Sequence, residues 1–281
     1  MSYRKQFRIA PGSDLRLKDF DPAFAGKHED KKAALKRVAE LRLRLDDLQN
    51  RLYAEKKRSV LICLQGLDAA GKDGVVRHAL ASMNPAGCRA VSFKEPSKEE
   101  LAHDFLWRIE QQAPRRGEVA IFNRSHYEDV LIVRVHNLVP KKVWSKRYDE
   151  INDFERRLAE NDTHILKFFL HIGKEEQLER FKQRLDDPAR QWKISEADYA
   201  EREYWDDYTA AYEDAIGKCS TSDAPWYVIP ANHKWFRDLA ISEILVETME
   251  KMGITMPQPT VDIGEMRRKY HQTEKEEREG K

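Results

Sequence analysis

Residues 59–77 read SVLICLQGLDAAGKDGVVR, and this stretch decides the fold. Val60, Leu61, Ile62, Cys63 and Leu64 form an unbroken apolar run, the pattern of a parallel strand covered on both faces. Gly66-Leu67-Asp68-Ala69-Ala70-Gly71-Lys72 follows and matches a glycine-rich phosphate loop. In such a loop backbone N–H groups, a helix N-terminus and one lysine converge on phosphate oxygens. Two departures are informative. Asp73 stands where Ser or Thr would offer a hydroxyl to magnesium, and Asp68 puts a carboxylate inside a cradle built for anions. Alone, that carboxylate repels phosphate; a bound Mg²⁺ reverses the sign, because a hard cation takes carboxylate and phosphate oxygens together. A merely structural turn is the alternative, and strand, GxxxxGK and helix in this order argue against it.

Outward from the loop, strand and helix signals alternate. Strands are expected at 87–93, 118–122, 163–172 and 226–229, and helices at 98–112, 124–136, 141–161, 174–187, 198–216 and 235–252. Five apolar strands with helices between them predict a parallel, three-layer α/β sandwich. One domain is expected, with a core over 59–255 and a helical lid at about 178–216. Residues 1–29, with Pro11, Gly12, Pro22 and Gly26, read as an extended arm. Over 30–58, Val38, Leu41, Leu45, Leu48 and Leu52 recur at helical spacing. That stripe packs on the body or forms a coiled-coil seam; it covers few heptads for a seam, yet it hints at a homo-oligomer. The tail, 256–281, is charged, and from Arg267 it is nearly free of aliphatic residues, which predicts disorder.

Charged residues make up 35% of the 281, yet the net charge is +1, so capture of a polyanion must be local. No nucleic-acid or membrane partner is expected. Cys63, Cys88 and Cys219 lie far apart without metal or redox spacing and read as buried thiols. An N-terminus without a signal core and the lack of any 18-residue apolar run point to the cytoplasm.

A sheet of this kind binds ligands at the carboxyl ends of its strands. At the end of the third strand an acidic metal partner is expected, and Asn123 stands there instead. Arg124 follows, placed to clamp an anion or to make a surface ion pair. Glu128 and Asp129 come one turn later, and either could reach a metal. After the fourth strand, Leu178, Phe181 and Leu185 are expected to point inward, with Arg180 and Arg184 stacked on another face. Arg190, Lys193 and Arg202 continue the positive charge; a solvated, salt-bridged helix is the alternative. Ser125 and His126 read as structural, and Trp192, Tyr199, Tyr204, Trp205 and Tyr208 as packing rather than base-stacking residues.

With these motifs the chain resembles the polyphosphate kinase 2 family, most closely its class III polyphosphate:nucleotide phosphotransferases. The resemblance runs from about residue 30 to 255. It is carried by GLDAAGKDG at 66–74, FKEPS at 93–97, FNRSHYEDVLIVRVH at 122–136, LERFKQRLDDPARQWKIS at 178–195 and APWYVIPANHKWFRDLAI at 224–241. It implies a thymidylate-kinase-like phosphate-loop fold. It also implies phosphoryl transfer from inorganic polyphosphate to AMP or ADP, giving ADP or ATP, with Mg²⁺ or Mn²⁺ as cofactor and guanine nucleotides as further acceptors. Asp68, Lys72, Asn123, Arg124 and Arg184 would be catalytic. Gly66, Ala69, Ala70, Gly71, Lys72, Asp73, Lys94, Arg180, Arg184, Lys193 and Arg202 would bind phosphate and polyphosphate. Asn123, Arg124, Glu128 and Asp129 would meet the nucleotide, and Asp68 with Glu128 or Asp129 the metal. Many members carry Asp where this chain has Asn123, and Asn with the downstream Glu-Asp pair resembles class III. An ATP-dependent nucleoside monophosphate kinase and a non-catalytic phosphate-binding protein are the competing readings.

Overall fold

The computed structural model describes residues 2–26 and 30–280. The apolar runs become five strands: β1 (Ser59–Gln65), β2 (Cys88–Ser92), β3 (Val119–Asn123), β4 (Thr163–His171) and β5 (Trp226–Pro230). They form one parallel sheet in the order β2-β3-β1-β4-β5. Every residue of β1 is buried, as its unbroken apolar run requires of a central parallel strand. Leu64 lies opposite Asn123, and Gln65 opposite Phe169, so the phosphate-loop sequence leaves the sheet beside the end of β3.

Helices in chain order are α1 (Tyr3–Phe7), α2 (Lys31–Glu55), α3 (Lys72–His78), α4 (Trp107–Glu110), α5 (Ile132–Val135), α6 (Lys141–Trp144), α7 (Arg147–Ala159), α8 (Lys174–Asp186), α9 (Glu196–Ala200), α10 (Trp205–Cys219), α11 (Lys234–Lys251) and α12 (Ile263–Arg278). Strand residues alternate between two helical layers, as the two-residue side-chain period dictates. Val60, Ile62, Leu64, Phe168 and Ile229 share one core with α2, α3 and α11. Leu61, Cys63, Ala120 and Phe122 pack with Phe154 of α7, while Phe169, Trp226 and Val228 pack with α10. Burial pushes the thiols of Cys88 and Cys219 up to about 11 and about 12, and raises Cys63 as well. All three are free; Cys63 and Cys219 are buried as expected, whereas Cys88 is half-buried.

Asp30 caps α2 by accepting from the N–H groups of Lys32 and Ala33. The stripe Val38, Leu41, Leu45, Leu48 and Leu52 is buried, chiefly against α11, so the seam that hinted at self-association is occupied within the chain. The arm is held down: Ile9 N–H donates to the Trp226 carbonyl at 2.9 Å, and Tyr3, Phe7 and Phe24 pack on Phe236.

Three expectations are corrected. The helix expected over 98–112 is a 3-10 turn, Glu100–Ala102, then the single turn of α4; Asp104 accepts from Leu106 N–H and restarts the chain locally. The helix expected over 124–136 splits into a 3-10 turn, His126–Val130, and α5, because Arg124 is left-handed and the Ser125 hydroxyl caps Tyr127. The tail is a helix, exposed along its length. Asp262 caps it, and Glu265–Lys269, Glu274–Arg278 and Lys275–Glu279 pair one turn apart, the spacing at which opposite charges support a helix without a core.

A buried network fixes the chain after β3. Glu155 accepts from Lys167 at 2.5 Å, from the Tyr127 hydroxyl at 2.9 Å and from His126 Nε2 at 3.0 Å. Lys167 also donates to the Cys219 carbonyl at 2.6 Å. Ser125 and His126 are thus structural. Burial holds the His126 pKa below its usual 6.5, so on acidification the unfolded chain takes up a proton that the folded one refuses. Stability should therefore fall as pH drops below about 6.5, and a melting series from pH 7 to 5 should be flatter for His126→Gln. Lys167→Met, which strands the Glu155 charge, should cost about 3–5 kcal/mol in urea denaturation.

Candidate active site

Gly66 opens the loop at φ 153°, and a methyl there would lie 2.9 Å from the Leu170 carbonyl, so only glycine fits between β1 and β4. Ala69 (φ 60°) and Gly71 (φ 104°) are left-handed, which bends the loop into a concavity of the kind that gathers N–H groups around an anion. Lys72, the first residue of α3, folds back so that Nζ donates to the Gly66 carbonyl at 2.6 Å. Enclosure lowers its pKa, against the opposing pull of Asp68.

Arg124 N–H donates to the Leu64 carbonyl at 3.1 Å, which ties the end of β3 to β1. The residue then adopts φ 62°, a strained value for a non-glycine side chain, and its Nη2 meets Asp68 Oδ1 at 3.0 Å. Desolvation opposes the Arg124 charge, but Glu128 and Asp68 outweigh it and raise the pKa. Asn123 Nδ2 donates to Asp73 Oδ1 at 2.7 Å, and Lys193 Nζ stands 3.5 Å from Asp73 Oδ2. Desolvation pushes the Asp73 pKa up, yet the bond from Asn123 and the charge of Lys193 bring it below the usual range. The residue replacing the usual Ser or Thr is therefore tied to β3 and to the segment after α8.

These groups line a cleft of about 1280 Å³ that runs from α2 across the loop to that segment. Its walls carry twelve lysines and arginines against five carboxylates, in a chain whose net charge is +1. Lys94, Arg184, Arg190 and Lys193 are among them, so the positive charge is local, as the composition required. Arg184 also meets Asp198 at 3.2 Å, joining α8 to the segment that carries Lys193.

Not every expected residue faces the cleft. Asp129 is buried against Arg147 at 3.2 Å and Arg108 at 3.9 Å, and burial pushes its pKa up to about 6. Its neighbour Glu128 interacts with Arg124 and Lys72; burial raises its pKa, those two cations lower it, and Gln65 donates to it. Of the two carboxylates, Glu128 is the one directed toward the loop. Arg202 turns away, donating to the Lys174 carbonyl and to Gln177. The inward face of α8 is Gln177, Arg180 and Phe181, while Leu178 and Leu185 are each 48% exposed. Arg180 is drawn in because its donors satisfy the carbonyls of Ala69, Ala70, Ala231 and Asn232 at 2.8, 3.1, 2.5 and 2.9 Å. Tyr199 packs on Phe181 and Tyr204 on His136, as expected, but Trp192 is 77% exposed at the cleft wall. Arg237, unremarked in the sequence, donates to the Ala70 carbonyl at 3.3 Å from beneath the loop.

Among the described residues no three His, Cys, Asp or Glu side chains gather into a metal cage. Asp68 with Glu128 nevertheless fits Mg²⁺, which takes one or two carboxylates and completes its shell with water and phosphate oxygens.

A parallel sheet, a glycine-rich loop at the end of its central strand and a basic cleft define a phosphate-loop kinase. Residues 28–257 match the model of the family described as "Polyphosphate kinase 2 (PPK2)", and the chain belongs to that family. It is 53% identical to an AMP/ADP-polyphosphate phosphotransferase of Meiothermus ruber, over 91% of this chain and 96% of that one. It is 45% identical to an ADP-polyphosphate phosphotransferase of Rhodopseudomonas palustris, over 91% and 93% of the two chains. The crystal structure of polyphosphate kinase 2 from Arthrobacter aurescens TC1 superposes with a TM-score of 0.94 over 97% of both chains, at 41% identity.

The two neighbouring carboxylates should separate by experiment. Glu128→Gln is expected to raise the Mg²⁺ concentration for half-maximal activity about tenfold or more, in line with the loss of a metal-directed group. Asp129→Asn should leave that concentration unchanged and lower stability by about 1–3 kcal/mol, read from urea midpoints.

Proposed function

We propose that the chain transfers the terminal phosphoryl group of inorganic polyphosphate to AMP or ADP, with Mg²⁺ as cofactor and guanine nucleotides as further acceptors. The observation that carries this reading is the coupling of the Asp68, Lys72 and Arg124 constellation to a cleft with twelve basic residues. A nucleoside triphosphate donor carries four negative charges, whereas a condensed phosphate chain offers a run of them to such a wall.

Phosphoryl transfer needs little covalent help from a protein: positioning in line and neutralised charge supply the rate. Lys72 and the loop amides hold phosphate oxygens. Arg124, pre-aligned by Asp68, neutralises charge on the transferring group, and Arg184 of α8 and Lys193 of the segment beyond it bring further charge. Asp68 and Glu128 would hold Mg²⁺, which when bound would supply further neutralisation of phosphate charge. Asn123 donates to Asp73, while Asp68 and Glu128 are the carboxylates that act on both Lys72 and Arg124.

Lys72→Ala and Asp68→Asn should each lower the turnover of polyphosphate with ADP by about 10³-fold or more, measured by ATP formation. Retention of near-native rates would overturn the reading. AMP phosphorylation should be faster with long-chain polyphosphate than with ATP; the reverse would identify a nucleoside monophosphate kinase. Binding without turnover in the presence of Mg²⁺ would identify a phosphate-binding protein.

A further inference from the structure

Two motifs far apart in the chain meet under the phosphate loop. Arg237, at the start of α11, is 2% exposed and donates to the carbonyl of Ala70, 167 residues away. Its Nε and Nη2 donate to Asp238 Oδ1 at 2.9 and 2.7 Å, which fixes the plane of the guanidinium. Arg180 reaches the same Ala70 carbonyl from α8, at 3.1 Å. One carbonyl therefore receives two buried cations.

The glycines of the loop register the same contact. A methyl on Gly71 would lie 1.9 Å from Arg237 Nη1, and one on Gly74 would lie 2.9 Å from Arg237 Nη2. Gly71 also needs its left-handed φ of 104°. Gly74 does not: it sits inside α3, where alanine is the better helix former, so its conformation gives no reason for glycine. Arg237 cannot swing aside, because it is buried and held by Asp238. Gly74 is the slot that admits it.

We propose that Arg237, together with Arg180, is a positioning residue that sets the orientation of the Ala70–Gly71 peptide for phosphate binding. In a trans peptide the carbonyl and the N–H point in opposite directions. Two guanidiniums holding the Ala70 carbonyl inward thus aim the Gly71 N–H outward, toward the phosphate side of the loop. Lysine cannot replace Arg237, because one ammonium lacks the planar fork that spans Asp238 and the carbonyl together.

The inference rests on the phosphate-transfer reading of this loop, and the test keeps the two apart by measuring both ATP formation and calorimetric binding of Mg²⁺-tripolyphosphate. Arg237→Lys should lose about 10²-fold in kcat/KM for polyphosphate, the scale of an ångström-sized misplacement, and should bind tripolyphosphate more weakly. Millimolar guanidinium chloride should restore much of the activity of Arg237→Ala, and the same concentration of urea should not. Gly74→Ala should be costly in the wild type but change activity by less than about twofold in the Arg237→Ala background, because the two substitutions share one contact. Full activity of Arg237→Lys with native tripolyphosphate affinity, or additive effects of Gly74→Ala and Arg237→Ala, would overturn the proposal. Should Arg237→Ala fail to fold, Arg237→Lys and the single Gly74→Ala decide it: native binding by both refutes the clamp. A wild type that binds tripolyphosphate but transfers no phosphate would refute the functional reading and leave the clamp to be judged by binding alone.

Discussion

The whole site depends on tying the carbonyl side of one loop to buried cations so that its amide side is free for an anion. Backbone carbonyls buried without partners cost several kcal/mol, and a phosphate loop must turn some of its own away from the ligand. Here Arg180 and Arg237 take them. Each arginine is in turn paired, with Glu176 at 2.8 Å and with Asp238 at 2.7 Å, so neither is an uncompensated buried charge. The arrangement also concentrates positive potential beneath the concavity without exposing it to water.

The same logic explains the other acidic residues near the loop. Asp68 is held by Arg124, and Asp73 by Asn123 and Lys193. Asp68 and Asp73 thus each have a named partner, drawn from the end of β3 and from the segment after α8. The loop is therefore braced against β3, α8, α11 and the segment after α8. Rigid placement of this kind is what transfer by positioning demands.

Behind the site, the Glu155, Lys167, His126 and Tyr127 network performs a related service. It anchors the turn that follows Arg124 from the far side, so that a short 3-10 turn rather than a full helix presents Glu128 to the loop and Asp129 to Arg147. Adjacent carboxylates acquire opposite roles because consecutive residues on a tight turn face different directions.

The sequence by itself determined the sheet and the loop. Short unbroken apolar runs bounded by turn signals suit parallel strands covered on both faces, and the GxxxxGK spacing after such a run leaves little choice of geometry. The positions of Lys72 and Asp68 in the loop, and of Arg124 at the end of the neighbouring strand, were legible for that reason. Only the tertiary structure decided which face of α8 turns inward, that Glu128 lies near Arg124 and Lys72 while Asp129 faces Arg147, that Trp192 stays exposed, and that Arg237 lies under the loop. Those outcomes follow from bonds between side chains and carbonyls brought together from distant segments. Periodicity reports burial along a single element, and an arginine that is buried because it satisfies remote carbonyls looks, in its own helix, like one facing water.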